Sequence, residues 1–570
     1  MPSRRAQLRH AGSGTPWPEL RFVLILSVIA LAITSIPYAA GAMMATEERV
    51  FGGFVYAVAD CYSYLAKMRQ GAEGAWLFHI PYTPEAHPGA IFYTFRRLLG
   101  KIATLVPGGN LTTRMIWVYH LARWVFGLGL LVTIYQFLTR LTRSVRMRRL
   151  AWLMTTFGSG LGWLLIALGR PNWLGSLPLG FLLPEGFTFL VLFSFPHLAL
   201  AQTLFLLGLL ALLKAWRLGE GDAQHTLDRA QSTPYVNGQS ASQVSWPAAL
   251  KAGLLWLLMG LVVPFYPAVA WSVAGAAWIA LTLREHRFCW SEAGAAAVAA
   301  LISGPILIYS AWRFGSHPVY GAWQAQSQVS SPHPLHYLAA YVLPLAFAAL
   351  ATREAWNSKT HAWVALAWVA LGPFLIYPPI NEQRRLIVGV QVPLNLLAAI
   401  GLSRVTGLES STTSLRSKLV AGVVLLALLP TNAILIAGST MTVSRRPSPI
   451  YRDNEEVAAL NWLSQEVNPS SVVLASYKTG NYLPVRVGAR AFVGHGAESA
   501  HIDQKRAQVA QFFTATSEND WRRHLLETYD IDYVFWGPME RELGTFDPSA
   551  APYLRQVHEA EDYVIFTVQL

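Results

Sequence analysis

Charged residues and cysteine are both scarce in this sequence. Only 13% of the 570 residues are charged whereas 53% are hydrophobic, and apolar runs long enough to cross a membrane recur along most of the chain. This composition predicts a polytopic membrane protein. The two cysteines, Cys61 and Cys289, are predicted on opposite faces of the membrane, which excludes both a disulfide framework and a thiolate metal site.

A nucleic-acid signature is also lacking. The formal net charge is +12, but most of the basic residues stand in short connections between apolar runs, where they report membrane topology. We therefore predict no nucleic-acid partner. No internal repeat is clear enough to indicate the inverted halves of many transporters.

Eleven membrane spans are predicted from the apolar runs. The block 248–283 contains Pro264 and Pro267, and we interpret it as a tight hairpin because proline removes a backbone donor and restrains the residue before it. With this hairpin, all the arginine-rich connections share the side of the basic N-terminus. The spans lie near residues 22–42, 113–138, 150–168, 189–213, 248–263, 267–283, 291–312, 336–352, 361–380, 386–403 and 418–438.

The predicted spans divide the chain into three regions. Residues 1–21 form a basic cytosolic N-terminus, and residues 22–440 form a transmembrane domain with a first outer loop at 43–112 and a cytosolic linker at 214–247. Strands that alternate with helices predict an α/β domain at 450–570, placed outside the cytosol. Its loop "VGHGAES" is either a turn before a helix or a strand-end loop that meets a ligand.

An acidic residue follows the first span in the stretch "ADCYSYLAKMRQG". A helix over 51–70 that lies on the membrane would place Asp60, Tyr64 and Lys67 on one face. The Asp60 carboxylate could then take a proton from a sugar or protein hydroxyl. The alternative is a solvated interfacial helix in which Asp60 pairs with Lys67.

The first outer loop also holds His79, Glu85 and His87 among prolines and aromatic residues. These side chains could surround a metal or polarise a diphosphate, but their spacing is not diagnostic. Turns around the prolines explain the same pattern. We predict no metal ligand here and leave a divalent metal as an option.

Ionisable residues also stand in or beside the spans. Glu185 lies at the lip of the fourth span and His197 lies further along it, where a polar side chain either contributes to function or hydrogen-bonds to a neighbouring helix. Arg123 lies roughly 15 Å into the second span, at about 1.5 Å per residue, and is expected to need a partner or to reach outward to an anion.

A pair of arginines occupies the short outer connection "NEQRR". Arg384 and Arg385 run against the tendency of basic residues to stay in the cytosol, so an anionic partner is expected. An arginine can bind a phosphate bidentately and hold it while a sugar–phosphate bond breaks. The alternative is a structural ion pair with Glu382.

Together these pieces resemble the C-type membrane glycosyltransferases (the GT-C superfamily), distantly like the protein O-mannosyltransferases and aminoarabinose transferases. The resemblance rests on "VADCYSYLAKMRQG", "PEGFTF", "NEQRR" and the α/β tail. The sequence lacks the adjacent acidic pair that many of these enzymes carry in the first outer loop. Glu47 and Glu48 could supply that pair, which leaves the identity of the base open between them and Asp60.

The resemblance implies inverting transfer of a sugar from a polyprenyl-phosphate donor to a lipid, glycan or protein acceptor. The reaction would take place on the outer face of a multi-pass protein of the bacterial plasma membrane, in contact with membrane lipids. One alternative is a flippase for lipid-linked glycans, or another transporter, with Arg123 and His197 along its path. Another is a non-enzymatic factor of envelope assembly.

Overall fold

The structure is a computed structural model that describes residues 15–217, 244–409 and 414–570. Most of the predicted basic N-terminus (1–21) and of the predicted linker (214–247) lies outside the described residues. The apolar part of the described chain folds into long helices joined by short connections. Its elements are α1 (Trp17–Met43), β1 (Arg49–Phe51), α2 (Val58–Ala72), α3 (Thr94–Leu105), α4 (Leu111–Leu141), α5 (Val145–Phe157), α6 (Gly162–Ala167), α7 (Leu179–Leu182), α8 (Thr188–Ser194), α9 (Pro196–Ala215), α10 (Trp246–Val262), α11 (Tyr266–Glu285), α12 (Trp290–Ser316), α13 (Pro318–Gln326), α14 (Pro334–Asn357), α15 (Ala362–Leu375), α16 (Gln391–Thr406), α17 (Leu415–Leu428) and α18 (Pro430–Ser444).

Eight helical segments of the described chain are long and apolar enough to cross a membrane. They are α1, α4, α5 with α6, α9, α11, α12, α14, and α17 with α18. The apolar helices α10 and α15 are shorter, so the predicted total of eleven spans is not confirmed.

The proline-containing block folds as two antiparallel helices, α10 and α11. Along α10, Gly253 faces Ile302 and Gly260 faces Ile306, so α10 runs parallel to α12. Along α11 the order reverses, because Trp271 donates to Ser303 (2.9 Å) whereas Trp278 donates to the carbonyl of Cys289 (2.9 Å). The turn between the two helices spans residues 263–265.

The connections rich in basic residues gather at one end of the helical bundle, here called the basic end. Arg148 pairs with Glu19 (3.0 Å), and Arg284 donates to the carbonyl of Ser358 (3.1 Å). Thr360 donates to the carbonyl of Leu141 (2.7 Å). The predicted cytosolic connections are therefore neighbours in space, and the loops at 43–112 and 376–391 lie at the opposite end.

The C-terminal domain is built around a five-stranded sheet, as the alternation of strands and helices predicts. The strand order is β4-β3-β5-β7-β6, with parallel pairing among β4, β3 and β5 and antiparallel pairing of β7 with β5 and β6. A separate two-stranded sheet, β1 with β2, joins the first outer loop to the start of this domain. The elements are β2 (Tyr451–Asp453), α19 (Asn454–Glu466), β3 (Val472–Leu474), α20 (Tyr477–Arg486), β4 (Arg490–Ala491), α21 (Ile502–Phe512), α22 (Asn519–Thr528), β5 (Tyr533–Trp536), α23 (Pro538–Arg541), β6 (Leu554–Ala560) and β7 (Tyr563–Val568).

Candidate active site

A cavity of about 410 Å³ lies at the end of the bundle opposite the basic end. Apolar residues of the α10–α11 turn and of α12 form one wall, including Pro264, Phe265, Leu307 and Phe314. Titratable side chains from the first outer loop, the start of α9, the connection before α16 and the C-terminal domain form the rest. They are Asp60, Arg96, His197, Glu382, Arg385, His495 and Glu498, and Tyr64 and Tyr93 accompany them.

Asp60 lies in the first turn of α2, and its side chain is half exposed (53%) to this cavity. The rest of α2 is not a solvated surface helix, because most of its residues from Cys61 onward are buried. The helix begins at Val58 and not at Phe51, since residues 49–51 form β1. The solvated alternative for this stretch is therefore wrong.

The partner of Asp60 is His495, whose Nε2 lies 3.2 Å from Oδ1 of Asp60. Burial alone would raise the pKa of Asp60. The hydrogen bond and charge of His495, with smaller contributions from Lys67 and Arg385, outweigh burial and lower that pKa. Asp60 is therefore an ionised carboxylate at neutral pH, ready to accept a proton.

Lys67 pairs with Glu498 (2.6 Å) and also donates to Ser63. Both partners are buried, with side-chain exposures of 0% and 5%. Burial lowers the pKa of Lys67 to about 8 although Glu498 opposes the shift. Burial would raise the pKa of Glu498, but the charge of Lys67 holds that pKa below its usual value. The pair anchors the "VGHGAES" loop to α2.

His495 and Glu498 reach the cavity because the "VGHGAES" loop is held in a fixed turn. The hydroxyl of Ser499 accepts hydrogen bonds from the backbone N–H groups of Gly494 (3.1 Å) and His495 (3.2 Å). Gln326 donates to the carbonyls of Ala497 (3.1 Å) and Ser499 (2.8 Å) from α13. The loop thus faces the cavity as well as preceding a helix. The sequence singled out this loop but contained no signal that His495 meets Asp60.

Arg96 is a further residue that sequence reasoning missed. It lies in α3, is 4% exposed, and its guanidinium carbon lies 3.9 Å from the ring centre of Tyr64 and 4.6 Å from that of Tyr93. Its Nε has no hydrogen-bond partner, and among the described residues it forms no ion pair. Burying a cation without a counter-charge is costly, so Arg96 has unmet capacity for an anion in the cavity.

Arg385 has a counter-charge already, because its Nε lies 2.7 Å from Oε1 of Glu185. Glu185 is buried and Arg385 is partly buried, and Phe265 covers the guanidinium at 4.9 Å. Burial would lower the pKa of Arg385, but Glu185 outweighs burial and raises it. The acidic partner of this arginine is Glu185, where the sequence suggested Glu382.

Arg384 does not line the cavity, although it neighbours Arg385 in the sequence. Its backbone N–H donates to the carbonyl of Val329 (3.4 Å). Glu382 does line the cavity and lies beside Arg385 there. The structure therefore separates the two arginines of "NEQRR" and brings only the second to the site.

Arg123 and His197 occupy different places. His197 is buried beside the cavity, with its ring 5.1 Å from that of Tyr64. Arg123 is enclosed by helices and has no anionic partner. It donates to the hydroxyls of Thr34 (2.9 Å) and Ser35 (2.6 Å) and to the carbonyl of Leu192 (3.1 Å). The expectation that it reaches an anion is not met, because these neutral oxygens satisfy it.

Four further candidates lie outside the cavity lining. Glu85 pairs with Lys505 (2.6 Å), which ties the first outer loop to the C-terminal domain. His87 accepts from the backbone N–H of Ile80 (2.8 Å), while its other ring nitrogen contacts the carbonyl of Glu85 (2.7 Å). The remaining two, Glu47 and Glu48, are exposed in the turn before β1.

The donor set at the cavity does not fit a metal ion. No group of three or more His, Cys, Asp or Glu side chains in the described parts of the chain has the arrangement of a metal site. Lys67 already neutralises Glu498, and both ring nitrogens of His87 are engaged. We therefore route no chemical step through a metal.

Comparison with known proteins identifies the fold. No protein-family model and no curated protein sequence matches the chain. The crystal structure of the Archaeoglobus fulgidus oligosaccharyltransferase tethered with an acceptor peptide is similar over 90% of this chain and 69% of that chain, with 12% identity and a TM-score of 0.52. The apo form of that protein covers 91% and 70%, with 13% identity and a TM-score of 0.50.

These similarities confirm the predicted fold class, since the matched protein is a polytopic membrane glycosyltransferase of the C type. The chain thus has the GT-C fold, with an α/β domain at its C-terminal end.

Proposed function

We propose that the protein is a membrane glycosyltransferase that moves a sugar from a polyprenyl-phosphate donor to a hydroxyl acceptor. The observation that carries this proposal is the 410 Å³ cavity, which places a half-exposed carboxylate, Asp60, together with an unpaired buried guanidinium, Arg96. Transfer needs a base for the acceptor and a cation for the departing phosphate. Both are present in one chamber.

The proposed division of labour follows from these contacts. Asp60 takes the proton of the acceptor hydroxyl, and its oxygen attacks the anomeric carbon as the bond from that carbon to the phosphate oxygen breaks, which inverts the configuration. His495 orients Asp60 and keeps it ionised. The phosphate leaves with the bonding electrons and is held by Arg96 and by the partly exposed side of Arg385. The apolar wall around Phe265 receives the start of the polyprenyl chain.

Replacing Arg96 by glutamine is expected to weaken binding of undecaprenyl phosphate roughly tenfold to a hundredfold, because a charge-assisted hydrogen bond is worth about 1.5–3 kcal/mol. The fold should persist, since Arg96 leaves no ion-pair partner behind. Binding can be titrated by native mass spectrometry of the purified protein.

The matched control is Arg384→Gln, which removes the same charge from a residue outside the cavity lining. It should leave the affinity unchanged. Equal affinity of the wild type and the Arg96→Gln variant would refute the phosphate site and, with it, the donor proposed here.

We further propose that the C-terminal domain is extracytoplasmic. Cys61 and Cys289 are both buried, so a cysteine introduced at exposed Ser549 can be labelled against a low background. A membrane-impermeant maleimide should label Ser549→Cys in intact spheroplasts and should not label Lys359→Cys at the basic end. The reverse pattern would overturn the proposed orientation.

The transporter alternative is less well supported by the geometry. It places Arg123 and His197 along one path, but Arg123 is enclosed by hydroxyl and carbonyl groups and does not line the cavity that His197 lines. An assembly factor without catalysis would have no need for an ionised carboxylate beside an unpaired cation.

A further inference from the structure

A second cavity, of about 920 Å³, opens at the basic end of the bundle, far from the candidate active site. It lies among α1, α4, α5, α9 and α10. Four cations line it, accompanied by one carboxylate. The cations are Arg140, Arg148, Lys214 and Lys251, and the carboxylate is Glu19.

The charges of this cavity do not balance. Glu19 is buried (7% exposed), and it is already engaged by Arg148 (3.0 Å) and by the hydroxyl of Tyr135. Arg140, Lys214 and Lys251 have no acidic partner among the described residues. The cavity therefore presents three uncompensated positive charges around one neutralised pair, which favours an anionic occupant.

The lining changes from charged to apolar with depth. Leu255 follows Lys251 by one turn of α10, and Leu210 precedes Lys214 by one turn of α9, which places each leucine about 6 Å deeper into the bundle at about 1.5 Å per residue. Leu207 lies deeper still on α9. A free anion would gain nothing from this apolar floor, whereas an acyl chain would.

Exposed tryptophans mark the depth of the cavity in the membrane. Trp17 (67% exposed) and Trp246 (49% exposed) open α1 and α10, and their neighbours Pro16 and Pro247 line the cavity. Exposed tryptophans of membrane helices sit at the level of the lipid headgroups. The cavity mouth thus lies at headgroup depth and its leucines lie at acyl-chain depth.

We propose that this cavity binds one anionic glycerophospholipid, with the phosphate held by Arg140, Lys214 and Lys251 and an acyl chain along Leu210 and Leu255. The site is separate from the proposed donor site. It is formed by charge, depth and apolar surface together, and a zwitterionic lipid would leave the excess positive charge uncompensated.

Native mass spectrometry of the full-length protein in detergent, with added phosphatidylglycerol or phosphatidylcholine, tests this site. The wild type should retain one phosphatidylglycerol in preference to phosphatidylcholine. The variant Arg140→Gln/Lys214→Gln/Lys251→Gln should bind phosphatidylglycerol roughly tenfold to a hundredfold more weakly, since each basic residue near an anionic lipid contributes on the order of 1 kcal/mol.

The matched control is Arg353→Gln/Arg416→Gln/Lys418→Gln, which removes three exposed charges at the same end but outside the cavity. It should bind phosphatidylglycerol as the wild type does. Should the triple cavity variant fail to fold, Lys251→Glu alone provides the comparison and should also weaken binding. Equal binding by cavity and control variants would overturn the proposal, and so would displacement of the lipid by millimolar inorganic phosphate.

Discussion

Replacing Asp60 by asparagine is expected to lower the rate of sugar transfer by about 10²–10⁴, the range typical of general-base assistance. Asparagine keeps the size of the side chain and can still hydrogen-bond to His495, but it cannot accept the proton of the acceptor. Because the phosphate contacts belong to Arg96 and Arg385, donor affinity should change little. The rate can be measured as release of undecaprenyl phosphate from a panel of undecaprenyl-phosphate sugars in proteoliposomes.

The matched controls are Glu47→Gln and Glu48→Gln, which neutralise exposed carboxylates in the same outer loop but outside the cavity lining. Both should turn over as the wild type does. Normal turnover by Asp60→Asn together with a slow Glu47 or Glu48 variant would assign the base to the earlier pair.

Replacing Arg385 by glutamine is expected to lower the free energy of unfolding by about 3–5 kcal/mol, because it leaves the buried charge of Glu185 without its partner. Sequence reasoning alone predicts the opposite, namely an intact fold after both arginines are replaced. The structure changes that expectation because Glu185 is 4% exposed and lies 2.7 Å from the guanidinium. Chemical denaturation in detergent, followed by tryptophan fluorescence, gives the difference.

Two companion variants isolate the ion pair. Arg384→Gln removes the neighbouring charge without touching Glu185, so stability should be unchanged. Arg385→Gln/Glu185→Gln removes both charges and should recover most of the lost stability, because two neutral amides can still hydrogen-bond. A double variant no more stable than Arg385→Gln would show that the pair is not the cause.

Local patterns in the sequence were sufficient for much of the fold. The prolines at 264 and 267 predicted the break between α10 and α11, and the structure places the helix ends at Val262 and Tyr266. The alternation of short apolar blocks predicted the strands β3 and β5 and the closing β6–β7 pair. These features depend on neighbours in sequence, which a single chain displays directly.

The site was predicted only in part because its contacts join distant segments. Asp60, Tyr64, His197 and Arg385 were named from the sequence and line one cavity. His495 lies 435 positions from Asp60, and Glu185 lies 200 positions from Arg385, so no spacing reveals either contact. Arg96 stands in a helix whose sequence, "TFRRLLGKIATL", reads as an ordinary basic amphipathic face. Only the packing of Tyr64 and Tyr93 shows that this arginine is buried and unpaired.

The most direct test of the central claim is a cryo-EM map of the purified protein with undecaprenyl phosphate. The account predicts the phosphate within hydrogen-bonding distance of Arg96, near Arg385, with the first isoprenyl units against Phe265 and Phe314. Asp60 should face the open side of the phosphate, where a sugar would be attached. Lipid phosphate density found elsewhere, with the cavity around Asp60 and Arg96 empty at saturating ligand, would contradict the account.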